Sequence, residues 1–328
     1  MTRGRIALTA LGLGLSVLAI VALMKAVRAG DVAHHLRETR VGWLLLGMLV
    51  TLFGYVLRAA RWRELLAPEA RLPLGRVFGP TVVGFLAINT LPARIGEFVR
   101  AYLLARLERL PTAHVLGTSA IERILDLLLL ALFWAASLAF APFPEWFRVS
   151  GYVTFGIGGI AAAAVWLLHV RRHAAQRFLD GGLVSRLPAK LRDGLRSAVP
   201  AFGDGLRSLS APGVLAKSAG WSVAMWLVNG SVFLLAGLAA GLQLPWWSAF
   251  LLAFIVCVAI LLPSSPGFVG VMEAACVVGL ALLGVDQAKG LAFGILYHLT
   301  QIVPLIVVGS YYAFRMHLHP SDLATESA

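Results

Sequence analysis

The chain has 328 residues, of which 59% are apolar and 13% charged. Soluble domains carry about 25% charged residues, so a soluble fold is excluded and a polytopic membrane protein is indicated. The formal charge of +12 does not point to nucleic acid, because Lys and Arg collect in short loops, as they do beside anionic lipid head groups.

Taken in chain order, apolar runs predict membrane segments at about 6–28, 41–57, 77–91 with 95–107, 115–140, 149–170, 213–240, 247–262 with 268–283, and 290–313. The first follows Arg3 and Arg5 and is roughly 19 residues long, against about 7–15 for the core of a cleaved signal peptide, so it reads as a retained helix. The third and seventh segments are interrupted, by NTLPARIGEFVR (89–100) and by LPSSPGFVGVMEA (262–274). Unpaired backbone groups are too costly to expose to hydrocarbon, so such breaks persist only when buried in protein or lining a wet cavity. Their arms are short for full crossings and fit re-entrant hairpins. Cys257 and Cys276 lie inside apolar runs and read as small buried hydrophobes without metal or redox spacing. Trp146, Phe147, Trp246 and Trp247 fit an external aromatic belt.

Between 171 and 211 lies a polar stretch in which Leu187, Leu191, Leu195, Val199, Phe202, Leu206 and Leu209 recur every three or four residues, with Lys190, Arg192 and Arg196 on other faces. This is the pattern of a basic amphipathic helix lying on the cytoplasmic surface. With the N-terminus inside, seventeen Lys and Arg fall on the cytoplasmic side against six outside, Arg58, Arg61 and Arg63 being counted in an inner loop. Both ends are therefore expected in the cytoplasm. The expected fold is an all-α polytopic membrane protein of about six full transmembrane helices plus two broken or re-entrant helical hairpins. It forms one membrane domain, with 1–140 as a first half, 141–314 as an inverted second half, 171–211 as the linker and 315–328 as a tail. Paired broken segments in opposite orientation mark the binding site of secondary transporters.

Ionisable side chains within membrane segments are candidates for function. In the first hairpin Arg94, Glu97 and Arg100 recur at i, i+3 and i+6, after Asn89 at the end of the first arm. Two guanidinium groups beside a helix N-terminus suit a phosphate. The next helix carries Glu122, Arg123 and Asp126, with the two carboxylates one turn apart. In a low-dielectric setting they repel, so one holds a proton or both face Arg94 or Arg100. In the second hairpin Pro266, Gly267 and Gly270 permit a tight turn, Ser264 and Ser265 offer hydroxyls, and Glu273 follows without a nearby cation in sequence. His298, Gln301 and Asn229 are the candidate partners for Glu273, which is expected to share a polar network with the first hairpin. No catalytic triad, phosphate loop or metal-ligand cluster is recognisable, so neither a metal nor a cofactor is expected.

The strings RAARWRELL (58–66), NTLPARIGEFVRAYLLAR, ERILD and LPSSPGFVGVMEA together resemble the flippase-like family that shares the transmembrane region of lysylphosphatidylglycerol synthases. The resemblance runs from about 6 to 314 and maps Arg94, Glu97, Arg100, Glu122, Arg123, Asp126, Pro266, Gly267, Gly270 and Glu273 onto family motifs. In bifunctional relatives this region moves aminoacylated phospholipid between leaflets while a separate soluble domain performs aminoacyl transfer. The present chain ends at Ala328, and the resemblance therefore implies translocation without synthesis. Relatives near hopanoid and isoprenoid-linked glycan pathways widen the set of lipids.

The resulting expectation is a non-enzymatic lipid translocase of the bacterial inner membrane. Its partners would be membrane lipids with an anionic head group and not nucleic acid; a homo-oligomer and a partnering lipid-synthesis enzyme stay open. Two alternatives remain: a membrane-embedded lipid-modifying enzyme or accessory subunit, and a proton-coupled carrier of a small soluble anion.

Overall fold

The structure, a computed structural model, describes residues 3–68, 70–91, 95–171, 188–262 and 264–316. Among these are twelve α-helices, two short 3₁₀ turns and no strand. The helices are α1 (Arg3–Ala26), α2 (Ala29–Arg37), α3 (Val41–Leu66), α4 (Leu74–Thr90), α5 (Gly96–Glu108), α6 (Thr112–Leu138), α7 (Glu145–Val170), α8 (Ala189–Gly205), α9 (Pro212–Ala239), α10 (Ser248–Leu261), α11 (Val271–Ala281) and α12 (Gln287–Arg315). The 3₁₀ turns are Leu206–Ser210 and Pro266–Phe268.

Proline sets many of the starts. Pro73, Pro111, Pro144 and Pro188 directly precede α4, α6, α7 and α8, and Pro212 opens α9. A ring without an N–H costs nothing there, because the first helical turn has no intrahelical acceptor for that proton. At α12 a side chain does this work: Asp286 accepts from the Ala288 and Lys289 amides at 2.8 and 3.4 Å.

The chain is an all-α polytopic membrane protein. Helices α3, α7, α9 and α12 are long and apolar enough to cross a bilayer, and α1 with α2, bent by 88°, make a fifth span if counted together. By length and apolarity alone the described residues thus give four or five spans beside the six full crossings expected. Helix α6 has 27 residues, but its three charged residues lower its apolarity. The run expected at 41–57 extends as helix to Leu66. Arg58, Arg61 and Arg63 therefore belong to α3 rather than to a loop, and removing them leaves fourteen inner charges against six.

Helices α3 and α9 pair antiparallel along their length. The Arg40 amide donates to Ala239 O at 2.9 Å, Gly47 faces Leu235, Gly54 faces Asn229, and Arg61 reaches Ser222. Helices α4 and α5 form a tight antiparallel hairpin for a visible reason. A β-carbon on Gly84 would strike Arg100, and one on Gly96 would strike Ile88 and the Gly84 carbonyl. Helices α10 and α11 also pack together, with Gly279 against Leu252. The turn between them, which contains Pro266–Phe268, rests on α4, where Gly267 lies beside the Asn89 carbonyl. The two interruptions of the chain touch.

Much of the apolar core is aromatic: Phe133 packs on Trp226 and Phe250, Phe147 on Phe254, and Phe233 stacks on Tyr297. Trp246 and Trp247 pack against Phe140. Of the linker expected at 171–211, residues 172–187 lie outside the described set, as do 317–328 of the tail. The described part divides. Phe202, Leu206 and Leu209 join a cluster with Leu65 and Ile121, whereas Leu191 and Leu195 are exposed. The C-terminal half seats on α6 at a Gly117–Gly205 crossing without room for side chains.

Candidate functional site

Two polar clusters occupy the interior, one at each interrupted hairpin. The first is built around Arg61, a fully buried side chain on α3. Its Nε donates to Glu122 Oε1 at 3.2 Å, its Nη1 to Asp126 Oδ1 at 2.6 Å and to Ser222 Oγ at 3.2 Å, and its Nη2 to Asp126 Oδ2 at 3.4 Å. Asp126 also accepts from Trp226 Nε1 at 3.0 Å. Three helices, α3, α6 and α9, are thereby joined through one guanidinium. Glu122 and Asp126 project together because they are one helical turn apart. A cation between them removes the repulsion that two buried carboxylates would otherwise suffer.

Arg100 of α5 continues the cluster. It is 1% exposed and its Nη2 donates to Glu122 Oε2 and, at 3.0 Å, to Ser119 Oγ. Its guanidinium lies over the Trp62 ring at 4.2 Å from the centroid, with Trp62 held in turn by a 3.0 Å bond to Thr118 Oγ1. A cation on an indole face gains about 0.5–2 kcal/mol, more as water is removed. Arg100 Nε is buried without a hydrogen-bond partner among the described residues. Glu97 lies 3.7 Å from Arg100 and 3.5 Å from Arg123, and Arg123 lies 3.6 Å from Asp126. Arg58 stacks over Phe85 at 5.0 Å and stands within electrostatic reach of Asp126.

Among the described residues the cluster holds four guanidinium groups and three carboxylates, one positive charge in excess. Most of it is sealed. The open edge is Arg123, whose side chain is 45% exposed.

The expected phosphate clamp pairs Arg94 with Arg100. Arg94 lies outside the described residues, and Arg100 is enclosed and committed to Glu122 and Ser119. The expectation that the two carboxylates face Arg94 or Arg100 is half met: Glu122 meets Arg100, but both share Arg61. The sequence expectation places Arg61 in a loop because the apolar run stops at 57. The available signal was spacing: Arg58, Arg61 and Leu65 follow one helical face, inside a string already matched to the family.

The second cluster centres on Glu273. Gly270 and Gly267 have φ of +84° and +74°, the left-handed region that a side chain disfavours. The turn they form brings the Gly270 amide onto Glu273 Oε2 at 2.7 Å, closing the N-terminus of α11 with its own third residue. Glu273 Oε1 meets His298 Nδ1 at 2.5 Å. Gly294, one turn before His298, touches the Glu273 backbone and lets α11 and α12 approach this closely.

Glu273 therefore finds its partner in His298, one of the three expected. The other two are engaged elsewhere: Gln301 donates to Thr51 at 3.3 Å, and Asn229 lies against Gly54. Glu273 has no polar partner from the first hairpin among the described residues. Ser264 and Ser265 seat α1 rather than a polar cavity, since Ser265 N–H donates to Ser16 Oγ at 2.9 Å and Gly12 packs on the Ser264 backbone. Pro266 opens the 3₁₀ turn. Asn89 donates back to Phe85 O at 2.9 Å and closes its own helix. No group of three or more His, Cys, Asp or Glu with metal-binding proximity occurs among the described residues.

Comparison with known proteins agrees with this architecture. Glycosyltransferase AglD of Haloferax volcanii is 26% identical over 97% of the chain and 56% of its own length. UPF0104 membrane protein MJ1595 of Methanocaldococcus jannaschii is 27% identical over 34% of the chain and 34% of its own length. The chain thus spans about half of AglD, and no solved structure matches it. The family described as the lysylphosphatidylglycerol synthase TM region matches residues 9–309. With a family match over nearly its whole length, the chain belongs to the lysylphosphatidylglycerol synthase transmembrane-region family.

Proposed function

We propose that the protein is a lipid translocase that moves an anionic phospholipid or isoprenoid- or hopanoid-type lipid between the leaflets of the inner membrane, with both termini cytoplasmic. The observation that carries this reading is the arginine–carboxylate cluster beside the first interrupted hairpin. Among the described residues it has one excess positive charge, an Arg100 Nε buried without a hydrogen-bond partner, and an exposed Arg123 at its edge. Among the described arginines of the cluster, Arg123 at the open edge first meets a phosphate, and Arg61 and Arg100 hold the positive field behind it. An apolar cleft of about 440 Å³ between α1, α7, α10 and α11 suits an acyl or isoprenyl tail; Leu18, Trp146, Leu262 and Val278 line it and are exposed on the apolar surface.

An inverted repeat is part of the same proposal. Its support is the pattern of helix packing. Helix α3 runs antiparallel to α9, as equivalent helices of inverted halves do. The first arm of each hairpin, α4 or α10, packs on the last helix of the opposite half, α12 or α6. Each second arm packs on the last helix of its own half. The hairpins meet at the turn containing Pro266–Phe268, where a transporter of this plan holds its cargo.

Reconstitution into liposomes carrying a head-group-labelled anionic lipid tests the reading. Movement of intact lipid to the opposite leaflet is expected. A change in lipid mass instead identifies a lipid-modifying enzyme, a reading to which the similarity to the glycosyltransferase AglD also points, and uptake of a soluble anion identifies a carrier.

A further inference from the structure

Within the first cluster one cation stands apart. Arg61, Arg100 and Arg123 each contact at least one carboxylate. Arg58 contacts none. Among the described residues no hydrogen bond or ion pair reaches its guanidinium, which lies over the Phe85 ring at 5.0 Å from the centroid. Asp126, Arg61 and Arg123 act on it through space. Phe85 is shared: Tyr55 packs on it with ring centroids 5.4 Å apart, and the Arg100 guanidinium stands 5.8 Å from its centroid. Arg100 Nε is itself buried without a hydrogen-bond partner among the described residues. Two arginines with donors that lack protein acceptors thus meet one half-buried aromatic side chain of α4, one turn before Asn89 and the first interruption.

We propose that Arg58, seated on Phe85, is an inner phosphoryl-binding site, and that it takes over the phosphate of the head group after Arg123 has met it at the edge. The aromatic contact does not account for Arg58 by itself. A ring face attracts the charge but leaves the five N–H donors of a guanidinium largely unanswered. Arg58 is half-buried and lies eight residues before the end of α3, about 12 Å along the helix axis. At that depth an arginine without a carboxylate is costly, and such residues mark substrate paths. The like charges of Arg61 and Arg123 raise the cost, and a bound anion lowers it. Glu97, Glu122 and Asp126 are held by the other three arginines. A phosphoryl group supplies what Arg58 lacks, because its oxygens accept from a guanidinium in pairs. The hand-over from Arg123 rests on the translocase reading; the binding site does not.

Binding to the full chain in a phosphate-free maltoside detergent tests the site, with short-chain phosphatidylglycerol and inorganic phosphate as separate probes. Phosphatidylglycerol is expected to bind, and Arg58→Gln to weaken it on the order of tenfold or more, the effect of losing charged hydrogen bonds. Arg58→Lys keeps the charge without the planar fork and should fall between the two. Dipolar coupling between arginine side-chain nitrogen and lipid phosphorus, read in frozen wild-type samples, should report direct contact. That contact should disappear in Arg58→Gln and persist in Arg123→Gln. Because Arg58 leaves no carboxylate stranded, Arg58→Gln should unfold without lipid at or above the wild-type midpoint. Wild-type protein without the nitrogen–phosphorus contact overturns the proposal. So does unchanged affinity in Arg58→Gln, or a lipid-free midpoint that falls as far as that of Arg61→Ala, which would make Arg58 a structural cation. Binding of inorganic phosphate but not of phosphatidylglycerol, abolished by Arg58→Gln, keeps the site and makes its ligand a soluble anion. Lipid movement in liposomes separates the two readings. Lipid held at Arg58 by a protein that moves none retains the site and removes the translocase. Wild-type movement in Arg58→Gln, with no nitrogen–phosphorus contact in the wild type, does the reverse.

Discussion

The two interrupted hairpins solve one problem in different ways. In the first, the charges near the break are drawn into a network that spans α3, α5, α6 and α9, with Arg61 and Arg100 sealed among Glu122, Asp126, Ser119, Ser222, Trp62 and Trp226. In the second, one carboxylate closes its own turn and leans on one histidine. The difference teaches that a broken membrane helix needs its polar groups satisfied, and not any particular number of charges. A wide network holds by mutual restraint. A two-residue pair depends on one close helix approach.

The largest test of that contrast is Arg61→Ala. It removes the cation between two buried carboxylates, leaving Glu122 with Arg100 and Asp126 with Trp226 and Arg123, and should destabilise by about 3–5 kcal/mol. Thermal unfolding in detergent measures it, and a folded variant of near wild-type stability would show that Arg61 is not the keystone. Trp226→Phe comes next: it keeps the ring but removes the N–H donated to Asp126, at an expected cost of about 1.5–3 kcal/mol. Combining it with Ser222→Ala should give a non-additive loss, because the Trp226 donor and the Ser222 acceptor serve the same cluster; additive losses argue against a network.

In the second region Gly294→Val pushes α12 away from the Glu273 backbone. Overpacking of this kind costs about 1–3 kcal/mol, and the His298 ring should lose its fixed tautomer by nitrogen NMR. An unchanged ring signal would mean that the close helix approach does not hold the pair. Smallest in stability is Arg123→Gln, at about 0–1 kcal/mol for a half-exposed ion pair. Its expected signature is functional: lipid movement in liposomes falls while the unfolding midpoint stays in place. Wild-type flux in this variant would remove Arg123 from head-group recognition.

Much of the first site was readable before any coordinates. Spacing placed Glu122 and Asp126 on one face, Glu97 near Arg100, and Glu273 just inside a proline–glycine turn. What was not readable was which cation each carboxylate met. Arg61 and Asp126 are 65 residues apart, Trp226 and Asp126 are 100 apart, and Arg61 and Ser222 are 161 apart. No local periodicity encodes contacts of that separation. Arg61 was misplaced for a related reason: an apolar run marks where hydrocarbon contact ends, whereas burial inside a bundle can continue for further turns.

The sequence by itself determined the membrane class, the helix starts at prolines, and the two places where helices must break. Each follows from chemistry within a few residues: apolarity, a missing amide proton, a positive φ. Only the tertiary structure decided that Arg100 is enclosed while Arg123 is open, that His298 rather than the first hairpin answers Glu273, and that the two breaks touch at Gly267 and Asn89. Those outcomes depend on how closely helices approach, and that is set by small residues such as Gly84, Gly96 and Gly294 meeting partners far away in the chain.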